Sequence, residues 1–343
     1  MRRAAAGALL CLALASCGGG GGGSSSLPAA SGSLPTPTPA PTPTPTAAPA
    51  PMADVRGVAV DDANGQPIAG ARVIVSENTV IAGPTPPPAA SPSWPSATTA
   101  PDGSFDVKNV PPSAWTLDFA YVGAGYPRYA NAQWVQIFPV DGHAAYHGIW
   151  SVAPNGTTDL GSVAIAQPNA QETAWLARVN ADRATVGLPA VATPLSFDSV
   201  TLQTARYWAQ QSASLGFYAH QCPAGTACVP FWLWETQHHS MPSSQNLDYG
   251  AVATWTWQNA EGAFMAEIAN CPNGGNWQMC PYAENTGHYI DIMSASYWAG
   301  VAIAVGKDPT SQSGSTTPYY VQNFSSPSNN VSAIQSLRRS LGL

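Results

Sequence analysis

The sequence predicts a multi-domain chain in which a β-sandwich is followed by a layered α-β-α sandwich. Three observations carry that prediction. Between residues 54 and 168, short runs of alternating apolar residues are broken by Gly and Pro turn signals. From residue 171 the apolar spacing changes to three and four, and two continuous apolar runs follow. Ahead of both, residues 1–16 pass from basic to apolar and end at a cysteine, and residues 17–53 are rich in Gly, Ser, Pro and Thr.

The leader comes first. Arg2 and Arg3 precede an apolar stretch from Ala4 to Ala15, too short to span a bilayer as a helix, so residues 1–16 read as an export signal. Its end, Leu14-Ala15-Ser16-Cys17, resembles a bacterial lipobox. That resemblance implies cleavage before Cys17 and acylation of its thiol. The expected location is the bacterial cell envelope, lipid-anchored, on the periplasmic or cell-surface side, with the membrane touched through the anchor alone. Residues 17–53 are the tether: Gly18 to Gly23 give a flexible start and the Pro-Thr alternation from Pro35 to Pro45 a stiffer stalk. Residues 331–343 read as a C-terminal tail.

Charge is sparse over the 343 residues: 12 Lys+Arg against 19 Asp+Glu, 9% in all, for a net charge of −7. Nucleic-acid binding needs a basic patch to neutralise phosphates, and so few cations exclude it. Beyond the leader and Cys17, four cysteines remain. In an exported chain they read as disulfides, and short loops favour Cys222–Cys228 and Cys271–Cys280. The rival, a four-thiolate zinc site, needs closer spacing between paired ligands.

In the first folded region, Val55 to Val60 is a strand, Asn64-Gly65 a tight turn, and Ala71 to Val75 the next strand. Asp102-Gly103 leads into Ser104 to Lys108, with Phe105 and Val107 on one face. Trp115, Leu117 and Phe119 alternate with polar residues, and Val135, Ile137, Val163 and Ile165 supply further strands. Six or seven short strands with such turns make a small sandwich. The segment Asn64 to Ala71, together with Gly57, Asp102-Gly103-Ser104-Phe105 and Val110-Pro111-Pro112, resembles the carboxypeptidase regulatory-like family of prealbumin-type sandwiches, commonly non-catalytic spacers or adhesion modules. His143 and His147, four apart, are a weak candidate metal pair.

In the second region, Leu176, Val179 and Arg183 recur at helical spacing. Leu202, Ala205, Trp208, Ala209, Ser212 and Leu215 do the same, with Asp198 ahead as a cap. Ala260, Ala263, Phe264, Glu267 and Ile268 mark a third helix. Trp298 to Val305 and Tyr319 to Phe324 read as buried strands.

No phosphate loop, Gly-x-Ser-x-Gly elbow or His-Glu-x-x-His helix is present. What remains is a scattered polar set: His220, Glu235, His238, His239, Gln245, Glu267, Glu284 and His288. The segments Leu176 to Arg183, Val186-Gly187-Leu188-Pro189, Leu195 to Asp198, the helix reaching towards Ala219-His220, Gln245-Asn246-Leu247 and Thr286-Gly287-His288-Tyr289 occur in the order of the CAP superfamily. This is the domain of cysteine-rich secretory proteins, antigen 5 and plant pathogenesis-related proteins, and residues 171–330 resemble it. Tyr319 to Phe324 is a weaker echo.

The resemblance implies a cleft formed by His220, Gln245, Glu267 and His288, with Tyr289 beside it. Gln245 departs from the family's Glu, and an amide carries no charge and is no base. The resemblance further implies that His220 and His288, with Glu267, are candidate ligands for Zn2+ or another divalent cation. Read as a strand, the segment after His288 turns Asp291 away from the site. The aromatic run Phe231-Trp232-Leu233-Trp234 reads either as a groove rim or as apolar packing.

The function expected is a membrane-anchored, non-catalytic binding module for a small apolar or polar ligand or a protein. The alternatives are a structural or adhesion role with a vestigial cleft, and a metal-assisted hydrolase in which Glu267 serves a metal-bound water. No nucleophile is set against a base, so catalytic residues are not assigned.

Overall fold

Alternation dictates the first strand, β1 (Ala53–Asp61): Val55, Gly57 and Ala59 take the covered face and Asp54, Arg56 and Val58 the other. The structure is a computed structural model that describes residues 51–325 apart from 78–80, 82–84, 86–93, 119–127, 242, 251–253 and 312–313. The export signal, the lipidation at Cys17, the tether up to residue 50 and the tail at 331–343 lie outside the described residues. Eight further strands precede the first helix: β2 (Arg72–Ser76), β3 (Ser96–Thr98), β4 (Ser104–Val110), β5 (Leu117–Asp118), β6 (Arg128–Tyr129), β7 (Ala132–Phe138), β8 (Tyr146–Ser151) and β9 (Thr157–Ile165).

Seven of these strands form two sheets, ordered β4-β1-β9 and β3-β2-β7-β8, while β5 and β6 pair separately. Val55, Val107 and Val163 from the first sheet share one core with Val73, Val135 and Ile137 from the second. The strands anticipated at Val55, Ala71, Ser104 and Val135 are thus all present. Of the one at Trp115, Leu117–Asp118 is a strand and Trp115 is not, while Phe119 lies outside the described residues.

The rest of the chain mixes helices and strands. Its elements are α1 (Ala170–Thr185), β10 (Ser196–Phe197), α2 (Ser199–Leu215), α3 (Phe231–Gln237), β11 (Ser244–Tyr249), α4 (Trp257–Ala266), the single turn α5 (Pro272–Gly275), α6 (Gly287–Ser294), β12 (Trp298–Lys307) and β13 (Thr316–Ser325). The architecture is therefore a β region followed by an α/β region. The sheet runs β10-β12-β13-β11, leaving β11 at an edge. Asn169 starts α1 with a reciprocal capping box to Glu172, and Asp198 starts α2 by accepting from the Thr201 amide. Helix α2 stops at Gly216, which is left-handed with φ 70°. It lies directly on β12: a Cβ at Gly300 would come within 2.3 Å of the Thr201 carbonyl oxygen, so only glycine fits there.

Two sequence readings are corrected. The segment Gly287–Ser294 is a helix and not a strand. Its apolar residues Tyr289, Ile292 and Met293 recur at three and four and are all buried. The helix before His220 ends at Leu215, so His220 stands in the loop beyond it.

All the described residues belong to one compact unit. A polar seam joins the regions: His147 Nδ1 lies 2.9 Å from Asp198 Oδ1, the Ser199 amide donates to the Ala145 carbonyl, and Gln203 donates to the Ala164 carbonyl. The His147 ring stacks on Trp298 with centroids 4.0 Å apart. The Tyr129 hydroxyl donates to the Thr236 carbonyl and the Ile149 amide to that of His239. Both disulfides, Cys222–Cys228 and Cys271–Cys280, are formed as the short loops suggested.

Candidate functional site

The edge strand β11 carries the first site residue. Gln245 and Leu247 face the α2 side, where Leu247 packs with Trp208 and Val321. Gln245 Oε1 lies 3.2 Å from His220 Nδ1. On the other face of β11, the Asn246 side-chain amide donates to the His288 carbonyl and to Gln322 Oε1. Glu267 follows α4 as the first residue of a short 3₁₀ turn, Glu267–Asn270. Its Oε1 lies 2.7 Å from His288 Nδ1, and its Oε2 accepts the backbone N–H groups of His288 and Tyr289 at the start of α6. A carboxylate at that position satisfies free amides and complements the helix dipole.

Helix α6 is held at its other end by Arg183 of α1. The guanidinium is buried and donates to the carbonyls of Ile292, Met293, Thr193 and Ala295. Burial pulls its pKa down to about 10. The α1 pattern thus acts at a distance, fixing the helix that presents His288.

Two pairs form, His220 with Gln245 and His288 with Glu267. His220 is exposed as a residue, but its ring is tucked among protein atoms. That desolvation lowers its pKa; the Gln245 bond opposes the fall, and the nearby charge of His288 adds to it. His288 retains 23% side-chain exposure and Glu267 14%. Phe264 packs beside the His288 ring with centroids 4.7 Å apart.

Two neighbours depart from expectation. Tyr289 is fully buried, and its hydroxyl accepts from the Leu188 amide and donates to the Gly275 carbonyl, so its side chain serves the core. Asp291, expected outside, is three residues after His288 on one helical face. Burial pushes its carboxyl up to about 7, while His288 and bonds from Tyr282 and Ser244 pull the other way. Reading α6 as a strand hid it; helical spacing of the same residues finds it.

The metal expectation is overturned. Among the described residues, no group of three or more His, Cys, Asp or Glu side chains could hold a metal ion. The donors are already engaged: Glu267 uses both oxygens on α6, each Nδ1 faces a protein partner, and Gln245 brings no charge. His143 and His147 are no pair either, since His143 contacts Asp61 and Asp141 while His147 contacts Asp198.

The remaining polar candidates scatter. Glu284 is exposed. His238 stacks on Trp234, and His239 on Trp150 of the β region, where burial lowers its pKa to about 4. The aromatic run forms α3, in which Phe231 and Trp232 pack with Trp208, the apolar-packing reading of that segment. Glu235 of α3 is fully buried, with its carboxyl pushed up to about 8 against two bonds from Ser243.

No protein-family model and no curated protein matches this chain. Solved structures match over about a third of it. The group B streptococcus pilus 2b backbone protein is 10% identical, with a TM-score of 0.21 and 34% of this chain and 41% of that one covered. Catechol 1,2-dioxygenase from Acinetobacter sp. is 14% identical, with a TM-score of 0.20 and 31% and 38% covered. The shaft pilin of Lactobacillus rhamnosus GG is 13% identical, with a TM-score of 0.20 and 34% and 47% covered. The chain spans less than half the length of each, and scores this low show no shared fold.

Proposed function

We propose that residues 171–330 are a CAP-type domain acting as a non-catalytic binding module, and that residues 54–168 are a carboxypeptidase regulatory-like, prealbumin-type sandwich that supports it. The observation that carries this reading is the pairing of His220 with Gln245 on the edge strand β11 and of His288 with Glu267 at the start of α6, which Asn246 ties to that strand, although 68 positions separate the histidines. A cleft of partly exposed imidazole, carboxyl and amide groups beside Phe264 suits a small ligand, since a few placed polar groups beside aromatic surface fix orientation. The absence of a nucleophile hydrogen-bonded to either imidazole, among the described residues, favours binding over hydrolysis. Lipidation at Cys17 and residence in the bacterial cell envelope belong to the same proposal: Cys17→Ser should release the protein from the membrane fraction, and retention there would refute the anchor.

The binding reading is tested by a ligand-observed NMR fragment screen. The full chain is compared with a His220→Ala/His288→Ala double variant of unchanged circular dichroism. Fragments that bind the parent and are lost in the variant support the cleft. Equal binding to both, or none to either, removes it.

A further inference from the structure

A buried chain of hydrogen bonds runs from the interior to His220. Glu235 accepts from Ser243 twice, from the amide at 2.8 Å and from the hydroxyl at 2.6 Å. With its hydrogen directed at Glu235, Ser243 Oγ has only lone pairs left, and the Asn323 side-chain N–H donates to it at 2.9 Å. Asn323 must then turn its oxygen the other way, where Gln245 Nε2 donates to it at 3.3 Å. Gln245 in turn presents Oε1 to His220 Nδ1. Ser243, Gln245 and Asn323 are buried, and Gln245 and Asn323 are cross-strand partners on β11 and β13. No link can reverse alone without facing two donors or two acceptors at each other, which is costly inside a protein.

We propose that, with the Glu235 carboxyl ionised, Glu235, Ser243 and Asn323 are positioning residues that fix the amide of Gln245 and thereby hold His220 as its Nδ1–H tautomer, leaving Nε2 as a hydrogen-bond acceptor. His288 has its Nδ1 engaged by Glu267 in the same sense. When both rings are neutral, both imidazoles therefore offer Nε2 lone pairs, and the cleft then selects ligands that donate hydrogen bonds through hydroxyl or N–H groups over carboxylates and phosphates. The ligand preference rests on the binding reading above; the tautomer of His220 does not. Glu235 lies in the long segment between His220 and Gln245, so that insertion supplies the buried end of the chain that orders the site.

The test is long-range ¹H–¹⁵N NMR on the full chain labelled at histidine nitrogens, at pH 9. There Glu235, whose carboxyl titrates at about 8, is ionised and purely an acceptor. The His220 signals are identified by their loss in His220→Asn. The parent should show Nδ1–H over Nε2–H by about tenfold or more, the discrimination expected of one buried hydrogen bond. In Glu235→Gln the new side-chain N–H donates to Ser243 Oγ, which reverses every later link, and His220 should change to Nε2–H. Asn323→Leu cuts the chain and should lower the preference for Nδ1–H. His288, held separately by Glu267, should keep its signals in both variants. An Nε2–H tautomer in the parent overturns the proposal even if neither variant folds, and so does an unchanged tautomer in a folded Glu235→Gln. Nδ1–H in the parent with cleft-dependent fragments that show no preference for hydrogen-bond donors would uphold the positioning chain and overturn the ligand preference, while no cleft-dependent fragment at all would remove the binding reading and leave the chain standing.

Discussion

Two of the histidine–carboxylate pairs, His147–Asp198 and His288–Glu267, have nearly equal geometry in different surroundings. In the seam, His147 Nδ1 lies 2.9 Å from Asp198 with both side chains 0% exposed; at the cleft, His288 Nδ1 lies 2.7 Å from Glu267 with 23% and 14% exposure. The seam pair is closed over. His147 is covered by Trp298 and Phe138, and its Nε2 has no hydrogen-bond partner among the described residues. Asp198 also caps α2 through Thr201. The cleft pair ties α6 to the turn after α4 and still meets solvent. Pair chemistry alone therefore does not mark a site. Burial decides which pair locks two regions together and which still meets solvent.

The largest expected effect follows from the seam. A chain beginning at Gln171 loses the partners of Asp198, Trp298 and Thr236 in one cut, and it should fail to unfold cooperatively in urea. A sharp two-state transition would show that the α/β region folds without the seam. Next, His147→Ala in the full chain leaves a buried carboxylate short of a partner and should cost about 3–5 kcal/mol, the range for breaking one side of a buried pair. A loss below about 1 kcal/mol would place the seam among surface contacts.

Much of this was legible in the sequence where a local pattern and its burial coincide. Alternation located β1, β2, β4 and β7, and three-four spacing located α1, α2 and α4. Cysteine spacing gave both bridges. The seam was illegible, because His147 and Asp198 lie 51 positions apart and neither carries a local mark of its partner. Helix α6 was misread because a run of eight residues is short enough to fit either period. That error hid Asp291, and it left the metal expectation untested against the amides at the start of α6 that already hold Glu267.

Acidity gives a smaller effect with a definite sign. Burial raises Glu235 to about 8 and both Glu261 and Asp291 to about 7, while His239 falls to about 4. In the unfolded chain these carboxyls titrate near 4 and histidine near 6.5. Between pH 6.5 and 8 the native state therefore holds more protons than the unfolded state, so stability falls as pH rises. The fall should be on the order of 2–3 kcal/mol across that window. Below pH 6.5, unfolded His239 takes up a proton that native His239 refuses, which opposes the trend. Urea titrations at pH 6.5 and 8 check it, and Glu235→Gln should flatten the slope. Stability rising over this interval would contradict burial of these carboxyls in neutral form.

The central contrast is tested most directly by the urea unfolding free energy of His288→Gln beside the parent at pH 7. The cleft pair is partly solvated and so contributes little to stability. A change within about 1 kcal/mol is expected, as for exposed ion pairs, with an unchanged denaturant slope. A loss of about 3 kcal/mol or more, matching that expected for His147→Ala, would mean that His288 and Glu267 are held for the fold as the seam pair is, and that the cleft is not a site.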